Sequence, residues 1–456
     1  MPVGVATSAV DRVRAIAAAA QTDYRIPGLV VAVAERGHLI EQVSIGSADI
    51  SAQVPARPDV QYRIGSITKT VTAVAVMQLA AAHAIDLRGP LRQAWKGGPL
   101  DDISIADLLT HGSGLQREPG GAVWETLRFP SREELVDVAN RAERLYPQDS
   151  WFHYSNLGFA LLGEMVAQIS GTTWAEHVAE HVLGPLDMLR TTISANPPAA
   201  QGYSVEPYSD EVVAEPGVDC QGLAPAAQLW STAEDLCRWT GLLTGGRPDL
   251  LSAETLAQMR GPRTIADLDH WSWGFGLGLM LLRDKETVYL GHTGSMPGFL
   301  AAVVCHPASR LGVVVLANTT GGFQIAGLAS QLLTVVREGG DTLPEWVPAT
   351  SPPPHIAPLL GRWWSEWNEW TFRWRDGHLQ ASLARAPGGD GVTIFNEVSP
   401  DEFVAMTGSE RGERLLVVRA EDRLGEVGKL YWATYPFTRT PVPFGGPRRP
   451  KSDPGS

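Results

Sequence analysis

Ser66 and Lys69 pair a potential nucleophile with a potential base in the segment Ser66-Ile67-Thr68-Lys69. The segment opens a run that reaches Ala84 without a glycine or proline, which predicts a buried helix. Residues three apart share one face of a helix, so the Lys69 amine is expected beside the Ser66 hydroxyl. A free lysine has a pKa of about 10.4, but burial lowers it by roughly 3–5 units. The pair therefore predicts a serine activated by a buried lysine.

The scarcity of lysine supports this interpretation. Five of the 37 basic residues are lysines, so arginine is the ordinary cation of this chain. Lysine can lose its proton near neutral pH, whereas arginine stays charged in proteins. A lysine close to a candidate nucleophile is therefore consistent with proton transfer.

A second candidate pair lies in Tyr154-Ser155-Asn156, just before an apolar run, Leu157 to Ile169, that predicts a helix ended by Gly171. A tyrosine near a deprotonated lysine can exchange protons with it, and an asparagine amide can hold a substrate carbonyl. The alternative is a packed tyrosine followed by a plain helix cap at Asn156.

A third candidate segment is Gly291-His292-Thr293-Gly294, which closes an apolar run, Val288 to Leu290, that predicts a strand. Glycines in a strand allow a ligand or another backbone to come close, and a strand edge can offer an N–H group to an oxyanion. The alternative is a turn that contains a histidine without a chemical role.

Together, and in this order and spacing, the three segments resemble the active-site boxes of the penicillin-binding protein and class C β-lactamase superfamily. The matching residues are Ser66, Lys69, Tyr154, Asn156, His292, Thr293 and Gly294. The resemblance runs from about Arg12 to Val336 and includes LLTHGSGL at Leu108–Leu115, a stretch similar to one in the β-lactamase-related hydrolases.

This resemblance implies a role for each residue. Ser66 attacks an acyl group, while Lys69 and Tyr154 exchange protons with the nucleophile and the leaving group. Asn156 orients the acyl chain. The backbone amides of Ser66 and Ser295 form the oxyanion hole, and Thr293 and Gly294 are expected to contact the substrate.

The third box departs from the pattern of the penicillin-targeted enzymes, which usually carry lysine where this chain has His292. That lysine pairs with a free carboxylate, whereas histidine is about neutral at pH 7. We therefore expect weak recognition of β-lactams and of free C-terminal carboxylates. In this respect the chain looks like the esterases, the D-aminopeptidases and the penicillin-binding-protein-type thioesterases.

The last of these groups implies the most specific hypothesis for function. A penicillin-binding-protein-type thioesterase takes a nonribosomal peptide from the thioester of its carrier protein and closes it into a ring, here through acylation of Ser66. The alternative is an esterase or D-amino-acid peptidase that resolves the same intermediate with water. A non-catalytic binding module on the same fold is a further alternative. The expected partners are an acyl or peptidyl thioester or ester and a carrier protein, without a cofactor or metal.

The chain is long enough for two domains, and its patterns divide it in two. Apolar runs that meet at Arg36-Gly37 predict a hairpin, Ser131–Leu145 predicts a helix, and strands return after Val288. We predict an α/β catalytic domain at 1–343, with an antiparallel sheet, flanking helices and a helical subdomain. A proline-rich linker follows at 344–358.

Period-two alternation after the linker predicts a small antiparallel β domain at 359–447, similar to the lipocalin-like barrel of some relatives, and a disordered tail at 448–456. Its aromatic residues, expected in the core, are Trp370, Phe372, Trp374 and Trp432. Arg439 is a candidate for covering the mouth of the active site from a loop of this domain.

His177 and His181 match the H-x-x-E-H pattern of inverted zinc peptidases. An apolar stripe beside them favours two interfacial histidines on an amphipathic helix instead. The three cysteines are too few and too far apart to predict a disulfide framework, and no Gly-x-Ser-x-Gly segment suggests an α/β-hydrolase nucleophile.

Net charge and the N-terminal residues bear on partners and location. A net charge of −13 argues against nucleic acid binding, because phosphates repel an acidic protein. Asp11, Arg12 and Arg14 interrupt the apolar residues that an export signal needs, and a helix is predicted to begin near Asp11. No run is long enough to span a membrane. We therefore expect a cytoplasmic protein.

Overall fold

The computed structural model describes residues 7–91, 100, 102–206, 209–321, 323–339, 352–375, 377–384, 392–419 and 426–442. The chain divides into two compact units, Met1–Leu343 and Pro344–Ser456. Among the described residues, no helix combines the length and apolar character that a bilayer crossing needs.

The first unit starts with a helix and the predicted hairpin. Its first elements are α1 (Thr7–Asp23), β1 (Gly28–Glu35), β2 (His38–Asp49), β3 (Val54–Pro55), β4 (Tyr62–Arg63) and α2 (Thr68–Ala81). Arg36 and Gly37 both have positive φ, 52° and 85°, as a tight two-residue hairpin turn requires. Helix α1 begins before the predicted Asp11, because its buried stripe already starts at Ala9.

The middle of the first unit is mostly helical, as predicted. Its elements are α3 (Ile105–Leu109), α4 (Val123–Thr126), α5 (Leu135–Arg141), α6 (Asn156–Ser170), α7 (Trp174–Val178), β5 (Tyr203–Val205), β6 (Val212–Ala214), α8 (Ala224–Ala227) and β7 (Trp230–Ser231). Helix α6 ends at Gly171 in the left-handed conformation, as predicted. The helix predicted at Ser131–Leu145 is shorter, since α5 buries only Leu135 and Ala139.

The end of the first unit supplies most of the sheet. Its elements are α9 (Ala233–Leu243), α10 (Ala253–Arg260), β8 (Thr264–Ile265), β9 (Trp273–Phe275), β10 (Met280–Asp284), β11 (Thr287–Met296), β12 (Phe299–His306), β13 (Leu311–Ala317) and α11 (Ile325–Glu338). The described sheet has nine strands in the order β3-β2-β1-β13-β12-β11-β10-β9-β8. β1 pairs antiparallel with β13, so the sheet joins distant parts of the chain, as predicted.

The large sheet carries an apolar core on each face. Alternate residues of β1 belong to opposite cores: Leu29 and Val31 pack with α1 and α11, whereas Val30 and Ala32 pack with α2, α6 and α9. When helices cover both faces of a sheet, the side chains on both faces of a central strand are buried. This explains why the sequence of β1 is an almost unbroken apolar run. Helix α2 packs in the core that contains Val30 and Ala32, where the residues of its first turn are buried.

The second unit is an eight-stranded antiparallel barrel that is nearly closed, as predicted. Its strands, consecutive in space, are β14 (Gly361–Ser365), β15 (Asn368–Arg375), β16 (His378–Leu383), β17 (Thr393–Ser399), β18 (Glu402–Ala405), β19 (Arg414–Arg419), β20 (Val427–Trp432) and β21 (Tyr435–Phe437). Trp364 and Thr438 exchange two backbone hydrogen bonds of 2.8 and 2.9 Å across the closure. Phe372 and Trp432 are buried in its core, and Trp370 and Trp374 pack against it.

Part of the predicted linker belongs to the barrel. Residues Ala357–Leu359 form a 3-10 turn, and Ile356, which lies within the predicted linker, is fully buried in the barrel core. The rest of the predicted linker up to residue 351 lies outside the described residues, as does the predicted tail at 448–456.

Candidate active site

Ser66 lies in a 3-10 turn, Gly65–Ile67, that leads directly into α2. Lys69 is in the first turn of that helix and is fully buried. Its Nζ lies 3.0 Å from Ser66 Oγ, 2.6 Å from Asn156 Oδ1 and 2.9 Å from the carbonyl oxygen of Ala226. Three oxygen atoms from three separate segments therefore surround the amine.

Burial lowers the pKa of Lys69 to about 7, against the opposing effect of the Glu118 carboxylate. The neutral amine suits its surroundings, because it has two hydrogens and one lone pair. The two hydrogens match the oxygens of Asn156 and Ala226, which can only accept, and the lone pair is left to accept the Ser66 hydroxyl proton. The geometry therefore equips Lys69 to act as a general base near neutral pH.

The phenol of Tyr154 lies in an aromatic and cationic setting. The ring stacks on His111 with centroids 4.2 Å apart, and Lys69 Nζ and the Arg117 guanidinium carbon each lie 4.9 Å from its centroid. Burial raises the pKa of Tyr154 above its usual value, and a hydrogen bond with Ser66 only partly offsets this. At neutral pH the phenol is protonated, so Tyr154 is suited to donate a proton and Lys69 to accept one.

Asn156 is the first residue of α6, but it does not cap the helix. The cap is Ser155, whose Oγ accepts a hydrogen bond from the backbone nitrogen of Gly158 at 3.0 Å. The Asn156 side chain points instead to the catalytic candidates: Oδ1 accepts from Lys69, and Nδ2 donates to Glu118 Oε1 at 2.5 Å. The predicted contact of Asn156 with an acyl chain remains a prediction.

Two glycines bring β11 against the Ser66 turn. A Cβ on Gly294 would lie 1.9 Å from the carbonyl oxygen of Ile64 and 3.1 Å from the Ser66 nitrogen. A Cβ on Gly65 would lie 2.7 Å from the Ser295 nitrogen. Only glycine allows backbones to approach this closely.

The end of β11 that approaches the Ser66 turn pairs with a strand on one side only. β10 pairs with β11 from Asp284↔Thr287 to Met280↔Gly291, whereas β12 continues to pair as far as Met296. The Ser66 turn therefore lies where β10 has ended. This arrangement suits an oxyanion hole formed by the Ser66 and Ser295 amides, which remains a prediction.

His292 is buried, and one contact fixes which of its ring nitrogens carries a hydrogen in the neutral ring. Its Nδ1 lies 2.5 Å from the carbonyl oxygen of Thr293, which can only accept, so Nδ1 carries the hydrogen. In the neutral ring Nε2 is a lone-pair acceptor, and it has no hydrogen-bond partner among the described residues. Burial lowers the pKa of His292 to about 3, and the nearby Lys69 contributes to this. The third box therefore presents a neutral acceptor and not a cation.

The candidate residues border one cavity of about 860 Å³. The predicted residues that line it are Ser66, Tyr154, Asn156, His292, Thr293, Gly294 and Ser295. Lys69 lies behind them, fully buried. The outer wall is largely apolar and includes Trp124, Phe152, Trp273, Met280 and Phe323. A cavity of this size, with a few polar groups and apolar walls, is typical of a site for a small molecule.

Arg117, Glu118 and His111 also belong to this site but were not predicted as functional residues. The carbonyl oxygen of Arg117 accepts hydrogen bonds from the first backbone nitrogens of α6, those of Asn156 and Leu157, at 2.8 and 3.2 Å. His111 Nδ1 accepts from the Ser155 nitrogen at 3.1 Å. His111 occurs in the LLTHGSGL stretch, whereas no spacing in the sequence indicates that Arg117 and Glu118 meet α6.

Arg439 lies in the second unit and is bound there. Its guanidinium carbon lies 3.8 Å from the ring centroid of Trp363, and Nη1 donates to the carbonyl oxygens of Leu360 and Arg362 at 3.1 and 3.0 Å. These contacts give Arg439 a role within the barrel. Its predicted role at the active-site mouth remains a prediction.

The rings of His177 and His181 lie with centroids 4.7 Å apart and planes tilted by 51°, where α7 passes into a π-helical turn at Ala179–Leu183. In the part of the chain that the structure describes, no group of three or more His, Cys, Asp or Glu side chains is placed to hold a metal ion. His177 packs into the protein and is buried, in line with the interfacial interpretation.

Comparisons with known proteins give matches for both units of the chain. Residues 13–336 match the family model described as Beta-lactamase, and residues 352–439 match a domain of unknown function, DUF7586. Protein flp of Staphylococcus aureus (strain MW2) is 25% identical over 306 residues, 64% of this chain and 60% of that protein. The match thus spans less than two thirds of that relative's length.

Two further relatives match more of their own length. Penicillin-binding protein 4 of Amycolatopsis lactamdurans is 27% identical over 370 residues, 75% of this chain and 94% of that protein. The crystal structure of SurE is similar with a TM-score of 0.61 and 25% identity, over 95% of this chain and 99% of that chain. Since the family model covers well over half of the sequence, this chain belongs to the β-lactamase family of serine hydrolases.

Proposed function

We propose that this enzyme is a penicillin-binding-protein-type thioesterase, which transfers a peptide from a carrier-protein thioester to Ser66 and releases it as a ring. The observation that carries the proposal is the neutral His292 at the wall of a large, mostly apolar cavity. A neutral acceptor offers no counter-charge to a free carboxylate, so the site favours an acyl group within a longer apolar chain over a carboxylate-bearing β-lactam.

The proposed acylation uses the contacts around Ser66. Lys69 Nζ, 3.0 Å away, takes the proton from Ser66 Oγ as the oxygen attacks the thioester carbon. The backbone amides of Ser66 and Ser295 stabilise the oxyanion of the tetrahedral intermediate. When the carbon–sulfur bond breaks, Tyr154 donates its proton to the leaving thiolate, and Lys69 returns a proton to Tyr154. The step ends with an ester at Ser66 and a free thiol.

Resolution of the acyl-enzyme follows the same path in reverse. The amine at the other end of the bound peptide attacks the ester carbonyl and loses its proton to Tyr154, which passes a proton on to the neutral Lys69. Lys69 then protonates Ser66, which leaves as a hydroxyl. Aromatic walls such as Trp124, Phe152 and Trp273 favour this outcome because they exclude water and hold the chain in a folded conformation. The product is an amide that closes the ring.

The test is a pair of peptidyl thioesters with a D-residue at the activated end, one with a free N-terminal amine and one with that amine acetylated. We expect mass spectrometry to show a product one water lighter than the linear acid from the first substrate, and only the linear acid from the second. Formation of the linear acid from both substrates, with fast cleavage of simple esters, would show a hydrolytic esterase or peptidase instead.

A further inference from the structure

Glu118 lies on a loop that the start of α6 holds in place. The Gln116 side chain donates to the carbonyl oxygen of Glu118 at 2.7 Å, and the carbonyl oxygen of Arg117 accepts from the backbone nitrogens of Asn156 and Leu157. This backbone arrangement sets the Glu118 carboxylate against the Asn156 amide, 38 residues away in the sequence.

From Glu118 the hydrogen bonds run in an unbroken series to the nucleophile. Asn156 Nδ2 donates to Glu118 Oε1 at 2.5 Å, Lys69 Nζ donates to Asn156 Oδ1 at 2.6 Å, and Lys69 lies 3.0 Å from Ser66 Oγ. A carboxylate can only accept, so the NH₂ end of Asn156 must face Glu118. The rotated amide would set its carbonyl oxygen against the Glu118 carboxylate, acceptor against acceptor, and its NH₂ group would take the Lys69 lone pair that Ser66 needs.

We propose that Glu118 is a positioning residue for acylation of Ser66: its carboxylate fixes the Asn156 amide with the carbonyl oxygen towards Lys69, which leaves the amine lone pair for Ser66. The inference rests on the proposed acyl-enzyme chemistry at Ser66 and not on ring closure. Glu118 acts through Asn156 and is not itself in contact with the nucleophile.

The charge of Glu118 has a second effect on the same amine. Its carboxylate raises the pKa of Lys69, against the larger lowering by burial. The neighbouring Arg117, whose Nε lies 3.6 Å from Glu118 Oε1, has the opposite effect on Lys69. Glu118 therefore influences both the orientation of Asn156 and the pH at which Lys69 loses its proton.

A purely structural role for the carboxylate is the competing explanation. The loop is already fastened by backbone atoms of Arg117 and Glu118, and the Glu118 side chain adds contacts only to Asn156 and Arg117 within the described residues. Its second oxygen, Oε2, is buried without a hydrogen-bond partner there. A buried carboxylate oxygen without a partner opposes folding, so the side chain is a poor stabiliser of this loop.

The test compares Glu118→Gln, Glu118→Ala and the control Glu143→Gln by the rate of Ser66 acylation with a chromogenic ester between pH 5 and 9. Glu143 is an exposed carboxylate whose backbone pairs with Gln116, so its substitution removes a charge near the same loop without touching Asn156. We expect Glu118→Ala to lower kcat by about 10- to 100-fold with a smaller change in KM, because the amine loses its fixed partner.

Glu118→Gln keeps an acceptor for Asn156 but loses the charge. It should recover most of the rate above neutral pH and move the acid limb of the pH profile to lower pH, while Glu143→Gln matches the wild type.

Equal losses in both Glu118 variants at every pH, in step with a fall in melting temperature, would overturn the proposal in favour of a structural role. An unchanged rate and pH profile in both would also overturn it. Failure of the wild type to acylate at Ser66 would refute the proposed function and, with it, this inference.

Discussion

Lys69 Nζ and Ser66 Oγ lie 3.0 Å apart, with the amine fully buried and the hydroxyl at the wall of the cavity. The Lys69 amine is thus shielded from bulk water and does not line the cavity, whereas Ser66 does. Its remaining two hydrogen-bond partners are fixed carbonyl oxygens of Asn156 and Ala226. Lys69 can therefore take the proton of Ser66 only when its amine is neutral.

Substitution of either residue should abolish turnover. Ser66→Ala removes the nucleophile, and Lys69→Arg keeps a cation that cannot act as a base. We expect labelling by a serine-directed phosphonate to disappear in the first variant and to fall by at least about 100-fold in the second, in line with the usual contribution of general base catalysis. Ser66→Ala with wild-type turnover would disprove the assignment.

The pH dependence of acylation should follow the titration of Lys69. Burial lowers its pKa to about 7, and only the neutral amine accepts the Ser66 proton, so kcat/KM should rise with pH and level off above about pH 7. The Arg117 cation also lowers the pKa of Lys69. Arg117→Gln should therefore raise that pKa and move the acid limb to higher pH.

Arg144→Gln is the control for this experiment. Arg144 is ion-paired with Asp102, whereas the charged side chains that shift the pKa of Lys69 are Glu118 and Arg117, so loss of Arg144 should leave the acid limb in place. A shift to lower pH in Arg117→Gln, or an acid limb near the usual pKa of a free lysine, would contradict the assignment of Lys69 as a buried base.

β-Lactams and other carboxylates should be poor substrates. The pKa of His292 is about 3, so the ring is neutral throughout pH 5–9 and offers no charge to a carboxylate. We expect negligible hydrolysis of nitrocefin and, for two esters that differ only by a free carboxylate, a higher kcat/KM for the one without it. Nitrocefin turnover at the level of a working β-lactamase would refute this.

Local patterns in the sequence predicted the elements that carry the nucleophile, because those elements depend on neighbouring residues. The uninterrupted run after Ser66 became α2, the Arg36-Gly37 turn closed the hairpin, and Gly171 ended α6. The pairing of Lys69 with Ser66 follows from one turn of helix. The pattern of alternating residues likewise predicted the barrel strands.

Contacts between distant segments could not be predicted in the same way. Glu118 meets Asn156 only because the Arg117 carbonyl takes the free N–H groups at the start of α6, and no periodicity records such a contact. The neutral tautomer of His292 depends on the Thr293 carbonyl at 2.5 Å, which is a property of the folded backbone. The shorter α5 has the same cause, since burial of Leu135 and Ala139 depends on neighbours and not on composition.

The close approach of Gly294 to the Ser66 turn leads to the last prediction. A Cβ at this position would lie 1.9 Å from the carbonyl oxygen of Ile64, a separation that side-chain movement cannot relieve because the contact is with backbone. Gly294→Ala must therefore push β11 away from the turn and separate the Ser66 and Ser295 amides. Loss of one oxyanion-hole donor costs about 100- to 1000-fold in kcat, so acylation should fall by a factor in that range.

Gly327→Ala in α11 provides the matched control. A Cβ at Gly327 would lie 3.8 Å from the Cβ of Gln324, an ordinary van der Waals contact, and alanine favours a helix over glycine by about 1 kcal/mol. This variant should keep the wild-type rate of Ser66 labelling and an equal or higher melting temperature. The Gly294→Ala rate is interpreted on protein that shows a cooperative melting transition. A folded Gly294→Ala variant that acylates as fast as the wild type would show that the Ser66 and Ser295 amides do not form the oxyanion hole.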